Sequence, residues 1–175
     1  QGDAVAQNNL AMLYDKGEGV EKDPKQAYEW MLKSAENGHV SAMLGMGLRH
    51  GLGRGTPRDG QKSADWYRRA GERGNAAAQF LLGMKYLSGN GVGRSDEQAA
   101  QWFGKAAGQG DARAQHMIGL MYSQGRGVPQ DKVQGAAWMR KAAEQAYTDA
   151  QYILGTMYRD GSGVVRDGRL AAEWM

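Results

Sequence analysis

Hydrophobic side chains recur along the chain at a fixed interval of 36 residues. The five tryptophans keep this interval from one to the next, and so do the alanines that begin at Ala6 and end at Ala150. A fixed period between about 20 and 50 residues is typical of a solenoid, in which each repeat packs only on its neighbours. The pattern therefore predicts about five repeats, at 3–38, 39–74, 75–110, 111–146 and a truncated 147–175.

Each repeat begins with a predicted helix, which we term helix A. Asp3, Asn75 and Asp111 are typical helix N-caps, and each precedes about twelve residues without proline. Helix A is predicted to end at a Gly-x-Gly loop such as Gly89–Gly91, because glycine adopts the positive φ angles that a tight turn needs.

A second predicted helix, helix B, follows each loop. Asp23, Ser95 and Asp131 are its candidate N-caps. In the third repeat its apolar residues form one stripe at i, i+3, i+4, i+7 and i+8: Ala99, Trp102, Phe103, Ala106 and Ala107. One helical hairpin cannot bury this stripe alone, so the repeats must stack. We predict an all-α, right-handed α/α solenoid superhelix over residues 1–175, with a structural tryptophan at each junction: Trp30, Trp66, Trp102, Trp138 and Trp174.

Composition narrows the range of functions. The absence of cysteine excludes disulfides and thiolate chemistry, and a formal charge of +3 gives no reason to expect nucleic acid binding. No apolar run approaches the roughly 20 residues of a transmembrane helix, so we expect no direct membrane insertion. The chain ends at Met175 inside the fifth helix B, so we expect further structure beyond it and possible self-association through the solenoid ends.

The chain lacks the motifs of a catalytic or metal site. Its three histidines do not form an H-E-x-x-H zinc pattern, and we expect His50 to fill a tyrosine position and His116 a surface position. The Gly-x-Gly loops recur in every repeat, as turns do, whereas a catalytic constellation would occur once. We therefore expect no enzyme activity, catalytic residue, metal or cofactor, and we interpret the acidic residues before helix B as caps: Asp23, Asp59, Asp131 and Asp167.

The face of helix A opposite the core is the candidate binding surface. If Ala78, Leu82 and Tyr86 face the core, helical periodicity places positions 80, 84 and 87 on the other side. An apolar ladder there would bind a partner, or neighbouring A helices would bury much of it against each other. Less apolar residues at the same positions include Asn8, Met12 and Thr156, and the candidate groove residues are Leu44, Leu48, Phe80, Met84, Leu87, His116, Leu120 and Tyr152.

Charge suggests a second surface. Residues 3–38 carry 4 basic and 7 acidic side chains, for a net of −3, whereas residues 39–74 carry 7 basic and 3 acidic ones, for +4. Arg49 and Arg54 lie near the end of a helix A and are candidates for a patch that binds an acidic partner. The alternative is an ordinary solvated face.

The repeat motif resembles that of the SEL-like repeat (SLR) family, which is related to tetratricopeptide repeats. The third repeat carries it as Ala78, Leu82, Gly83, Tyr86, Gly89, Gly91, Val92, Ala99, Trp102, Lys105, Ala106, Ala107 and Gly110. The second repeat departs from it at His50 and Thr56, which puts the binding properties of that repeat in doubt more than its fold.

The resemblance implies that the A helices form a concave wall and that the protein is an adaptor. We therefore predict a scaffold that binds a peptide or protein in a concave apolar groove. Two alternatives stay open: a bacterial immunity protein that occludes a secreted toxin enzyme, and a hydrolase. The compartment also stays open, with the bacterial periplasm or cell envelope favoured over the cytoplasm.

Overall fold

The computed structural model describes residues 2–175, and the regular secondary structure of these residues is entirely helical. Helices and short loops alternate along the chain, and each helix has 13 residues except the last, which has 7. The helices are α1 (Ala4–Lys16), α2 (Pro24–Glu36), α3 (Val40–Leu52), α4 (Gly60–Glu72), α5 (Ala76–Ser88), α6 (Asp96–Gly108), α7 (Ala112–Gln124), α8 (Lys132–Glu144), α9 (Thr148–Asp160) and α10 (Gly168–Trp174).

The predicted caps begin these helices. The Asp23 carboxylate accepts hydrogen bonds from the backbone amides of Lys25 and Gln26, at 2.9 and 3.0 Å. The Ser95 hydroxyl accepts from the Gln98 amide at the start of α6. These acceptors satisfy amide groups that have no partner within the first turn of a helix. The boundaries of both helix types therefore follow from local sequence.

The Gly-x-Gly loops need glycine for space as well as for conformation. Gly91 has φ = +82°, and a Cβ atom built there would lie 2.0 Å from the carbonyl group of Gly60, at the start of α4. Gly127 approaches the Asp96 carbonyl of the preceding helix B in the same way. Because any side chain would force these backbones apart, the loop glycine connects successive repeats.

Two compact lobes divide the chain. The first lobe ends at Arg94 and the second covers Ser95–Met175. Consecutive helices within each lobe pack on one another as hairpins. In the first lobe, Met43, Met46 and Trp66 belong to a core drawn from α1–α5. In the second, Met139 and Leu154 belong to a core drawn from α8–α10, with residues of α7 packed against it.

Small residues allow helices A and B to approach closely. A Cβ atom on Gly47 would lie 2.4 Å from the Tyr67 ring, and one on Gly119 would lie 3.0 Å from the Gly135 carbonyl oxygen. Both glycines are buried inside helices, where glycine otherwise lowers stability. They are present because the partner helix occupies the space of a side chain.

The predicted all-α repeat solenoid is confirmed as the fold class. That residues 1–175 form one domain with the predicted repeat boundaries stays a prediction. The tryptophans occupy equivalent places in helix B, where Trp66 and Trp102 are buried and the other three are half-buried. A basic side chain three residues later lies over each of the first four rings, 4.1–4.3 Å from the centroid. These four indole rings therefore contact a cation as well as apolar neighbours.

Candidate functional site

The face of the A helices opposite the core carries exposed apolar side chains in the first lobe. Met12, Leu48 and Met84 occupy the same repeat position in α1, α3 and α5, and their exposed fractions are 44%, 41% and 40%. Leu44, Phe80 and Leu87, the other candidate groove residues of this lobe, are half-buried. Of the two arrangements that the sequence left open, an exposed ladder or a buried one, this lobe shows one exposed row beside a half-buried row.

In the second lobe the candidate groove residues differ from those of the first lobe in their exposure. Leu120 is half-buried, Tyr152 is 62% exposed and His116 is buried. The surface position expected for His116 is therefore wrong. The Tyr147 ring, which precedes the next helix A, meets the imidazole edge-on with centroids 5.3 Å apart. Burial lowers the pKa of His116, and the nearby Asp149 carboxylate opposes this shift.

His116 and Tyr152 line one cleft of the second lobe, with a volume of about 590 Å³. This cleft is also lined by Asp149, Ile153 and Trp174. The tertiary structure thus brings together two candidate groove residues that are 36 positions apart in sequence. Asp149 was not among the candidates, because the corresponding residue in the preceding repeats is not acidic, so the repeat pattern contains no signal for it.

Arg49 and Arg54 lie together, but not as an exposed basic patch. The Arg49 side chain is only 4% exposed, and its guanidinium lies 2.5 Å from the Asp15 carboxylate. It also donates a hydrogen bond to the Arg54 carbonyl oxygen at 3.3 Å. Arg49 therefore links the first repeat to the loop of the second, and the exposed positive charge expected of it is not present. Arg54 is exposed, and an acidic-partner patch would depend on it.

His50 occupies the tyrosine position of the second repeat. Its imidazole lies edge-on to the Tyr28 ring, with the Nε2 atom 3.4 Å from the Tyr28 hydroxyl. The other repeats have alanine in place of Tyr28, so a large residue on helix B accompanies the smaller histidine on helix A. Burial lowers the pKa of His50, and the Lys62 ammonium lowers it further.

Sequence reasoning missed two clefts, each of which lies beside the tyrosine in the last turn of a helix A. In the first lobe, Arg68 and Tyr86 line one of them, and in the second lobe Gly104 and Tyr122 line the other. The periodic tyrosines were visible in the sequence, but the helix B position before them varies as Leu32, Arg68, Gly104 and Arg140. A position that varies so widely gives no repeat signal, although its variation makes neighbouring repeats different.

The described residues 2–175 contain no group of three or more histidine and acidic side chains that could hold a metal ion. Within the same range, no helix combines the length and the apolar character needed to cross a bilayer.

A sequence profile of the Sel1 repeat matches the chain five times, at residues 4–39, 40–75, 76–111, 112–147 and 148–175. The chain belongs to the Sel1 repeat family. Sel1 repeats form a protein-interaction scaffold, and Sel1 repeat proteins are generally not enzymes. A search of curated proteins finds no match to the chain.

Solved structures of other Sel1 repeat proteins superpose closely on this one. The protein c5321, a protective antigen of uropathogenic Escherichia coli with an SLR fold, is 38% identical with a TM-score of 0.95 over 99% of this chain and 37% of its own. A Sel1 repeat protein from Oxalobacter formigenes is 37% identical with a TM-score of 0.95 over 99% of this chain and 72% of its own. The chain thus spans little more than a third of the first of these proteins.

A more distant similarity shows the fold alone. The immunity protein PA5088 of Pseudomonas aeruginosa is 24% identical, with a TM-score of 0.59 over 99% of this chain and 65% of its own.

Proposed function

We propose that this Sel1 repeat protein is a scaffold that binds a peptide segment of a partner protein through the face of its A helices opposite the core, which carries the candidate groove residues. Met12, Leu48 and Met84 carry the proposal, because three apolar side chains at one repeat position are each about two-fifths exposed. Apolar groups grouped on a surface are typical of binding sites, and methionine adapts well to varied partners.

The half-buried residues beside this row support the same proposal. Leu44 packs against the core of the first lobe, so it is held in place while part of its surface stays accessible. Such a residue loses little conformational entropy on binding. The binding face would then combine rigid half-buried residues with more mobile exposed ones.

Selection of peptides on the purified chain tests this proposal. A displayed library of random peptides would be selected, and the selected peptides synthesised and titrated by fluorescence anisotropy. Replacing Met12, Leu48 and Met84 together by Asp should weaken binding by at least about 100-fold, because each buried apolar contact contributes about 1 kcal/mol or more. Circular dichroism would verify that the variant keeps its helices.

A control variant places two such negative charges elsewhere. Val133 and Val165 are exposed by 69% and 88%, more than any residue of the proposed face, and lie outside the A helices. The Val133→Asp, Val165→Asp variant should bind the selected peptides normally. Equal binding by wild type and the triple variant would contradict the proposal, and so would equal losses in the triple and control variants.

Inhibition of a secreted toxin enzyme and hydrolysis remain alternatives raised by the sequence. The similarity to immunity proteins is too distant to carry their function to this chain. Hydrolase assays on the purified chain would test our prediction that it has no catalytic activity. Tight binding of a folded toxin enzyme, unaffected by the triple variant, would favour the immunity alternative.

A further inference from the structure

The clefts beside Tyr86 and Tyr122 are built from equivalent positions. Six residues that line the first cleft each have a counterpart 36 positions later that lines the second cleft, so the two clefts can be compared residue by residue. Gln61, Asp65, Arg68, Tyr86, Gly91 and Val92 line the first, and Glu97, Gln101, Gly104, Tyr122, Gly127 and Val128 line the second.

In the first lobe an arginine of helix B contacts the tyrosine hydroxyl. The Arg68 guanidinium lies 3.5 Å from the hydroxyl oxygen of Tyr86, and it forms a 2.6 Å ion pair with Asp65. The Tyr86 hydroxyl contributes to raising the pKa of Arg68. The cleft, of about 690 Å³, therefore has a guanidinium as part of its wall.

The same arrangement recurs in the fourth repeat. Arg140 donates a hydrogen bond to the Tyr158 hydroxyl, and its guanidinium carbon lies 5.8 Å from the centroid of that ring. The tyrosine at this repeat position thus contacts a guanidinium of the same chain in two places. Arginine suits this position because its planar group both donates hydrogen bonds and stacks on aromatic rings.

The third repeat lacks this side chain. Gly104 stands where Arg68 and Arg140 stand, and a Cβ atom built on it meets no atom within 4 Å. The cleft beside it, of about 390 Å³, extends to Ile118 and Trp138. Leu82, the counterpart of Ile118, is fully buried and does not line the Arg68 cleft. Replacement of arginine by glycine thus accompanies a cleft whose wall includes core residues.

The wall of this cleft matches an arginine side chain. Ile118, Pro129 and Trp138 supply apolar surface for its methylene groups. The Tyr122 hydroxyl can accept a hydrogen bond, and the Glu97 carboxylate, positioned by a 2.9 Å hydrogen bond from the Ser95 hydroxyl, supplies negative charge.

One basic residue limits where the guanidinium could lie. The Lys141 ammonium covers a face of Trp138, 4.3 Å from its centroid. A second cation over the same indole would be repelled. The guanidinium therefore belongs at the Tyr122 and Glu97 end of the cleft.

We propose that the cleft at Gly104 binds an arginine side chain of a partner protein, which takes the place that Arg68 and Arg140 occupy in their own repeats. This inference goes beyond the proposed function, because it assigns a separate surface and a side-chain specificity. The two ideas can fail independently, since the apolar triple variant leaves this cleft unchanged.

Nuclear magnetic resonance titration of the whole chain with short capped peptides tests the proposal. The probes are acetyl-Gly-Arg-Gly-amide and its lysine and citrulline analogues; citrulline keeps the shape of arginine and lacks its charge. The arginine peptide should shift the resonances of Gly104, Tyr122 and the Trp138 indole in a saturable manner, with a Kd on the order of 1–10 mM. The other two peptides should bind at least about fivefold more weakly.

Variants of the cleft provide the decisive comparison. Gly104→Arg supplies the chain's own guanidinium, as in two other repeats, and should abolish the shifts without unfolding the protein. Gly104→Ala should keep measurable binding, and Tyr122→Phe should weaken it several-fold. Absence of saturable shifts in the wild type, equal binding of the three peptides, or unchanged binding to Gly104→Arg would each overturn the proposal.

Discussion

The clefts at Arg68 and Gly104 show how repeats built on one pattern acquire different surfaces. The tyrosine, the second turn glycine and the valine after it are the same in both clefts, whereas the helix B residue beside the tyrosine changes from arginine to glycine, and Gln61 and Asp65 are replaced by Glu97 and Gln101. At the first cleft that residue is a cation that contacts the tyrosine, as Arg140 also does in the fourth repeat, and at the second cleft it is a glycine that leaves space. A repeated backbone therefore lets a few residues determine local surface chemistry.

The ends of the B helices differ between the lobes as well. In the first lobe α2 and α4 are followed by Gly38 and Gly74, which have positive φ angles of 92° and 85°. In the second lobe Gly110 follows α6, but Ala146 follows α8 with φ = 59°. In this left-handed conformation alanine is less stable than glycine, because its Cβ atom lies too close to the backbone. The fourth repeat thus lacks the glycine that follows the preceding B helices, and this difference lowers its stability.

The largest expected effect concerns the tryptophans of the second lobe. Trp102 is buried, whereas Trp138 is half-buried and lines the Gly104 cleft. Trp102→Ala should lower the free energy of unfolding by about 3–5 kcal/mol and Trp138→Ala by about 2 kcal/mol, because a less buried ring loses fewer contacts. Urea denaturation followed by circular dichroism measures both. Equal losses would show that the open cleft does not weaken packing around Trp138.

The helix ends give a smaller effect with a predicted change of sign. Ala146→Gly should raise the free energy of unfolding by about 1 kcal/mol, since it removes a left-handed alanine, and Gly110→Ala should lower it by a similar amount. A Cβ atom on Gly110 meets nothing within 4 Å, so backbone conformation alone is tested. Thermal denaturation of the two variants checks the signs, and a stabilising Gly110→Ala would contradict the explanation.

Filling the open cleft should make it resemble the cleft at Arg68. Gly104→Ala should raise the free energy of unfolding by about 1 kcal/mol through helix propensity alone. Gly104→Arg should raise it by about 0.5 kcal/mol more if the new guanidinium contacts Tyr122. Urea denaturation of both variants in the Tyr122→Phe background isolates this contact, because the additional gain should then disappear.

Each lobe also contains one buried histidine, and their titration gives the smallest expected effect. Burial lowers the pKa of His50 and of His116 below the ordinary value of 6.5. As the pH falls below about 6.5, the unfolded chain takes up protons that the folded chain resists, so stability decreases. Unfolding free energies measured from pH 7.5 to 5.5 should therefore fall.

Two substitutions locate this pH dependence. His50→Tyr restores the tyrosine of the other repeats, and His116→Phe copies the residue at Phe80. Each variant should lose part of the decrease between pH 7.5 and 5.5, and the double variant most of it. An undiminished decrease in the double variant would assign the effect to other groups.

Much of the fold could be predicted because its signals are local and repeated. N-caps such as Asp23 act within three residues, and a glycine with positive φ recurs at the position of Gly91 in every repeat. The candidate site was predicted less completely. Leu48 and Met84 were placed on the face opposite the core with their exposure left open, and His116 was expected at the surface but is buried beside Tyr147. Tyr147 lies 31 positions after His116 in sequence, so no local pattern could reveal the contact.

The sequence by itself determined the number of repeats, the helix boundaries and the family, since these depend on short-range chemistry repeated every 36 residues. The tertiary structure alone decided which side chains are accessible. Arg49 is buried because Asp15, 34 positions earlier, lies against it, and the Gly104 cleft is open because no neighbouring side chain fills it. Exposure depends on what another repeat contributes, and that contribution becomes definite only when the helices pack.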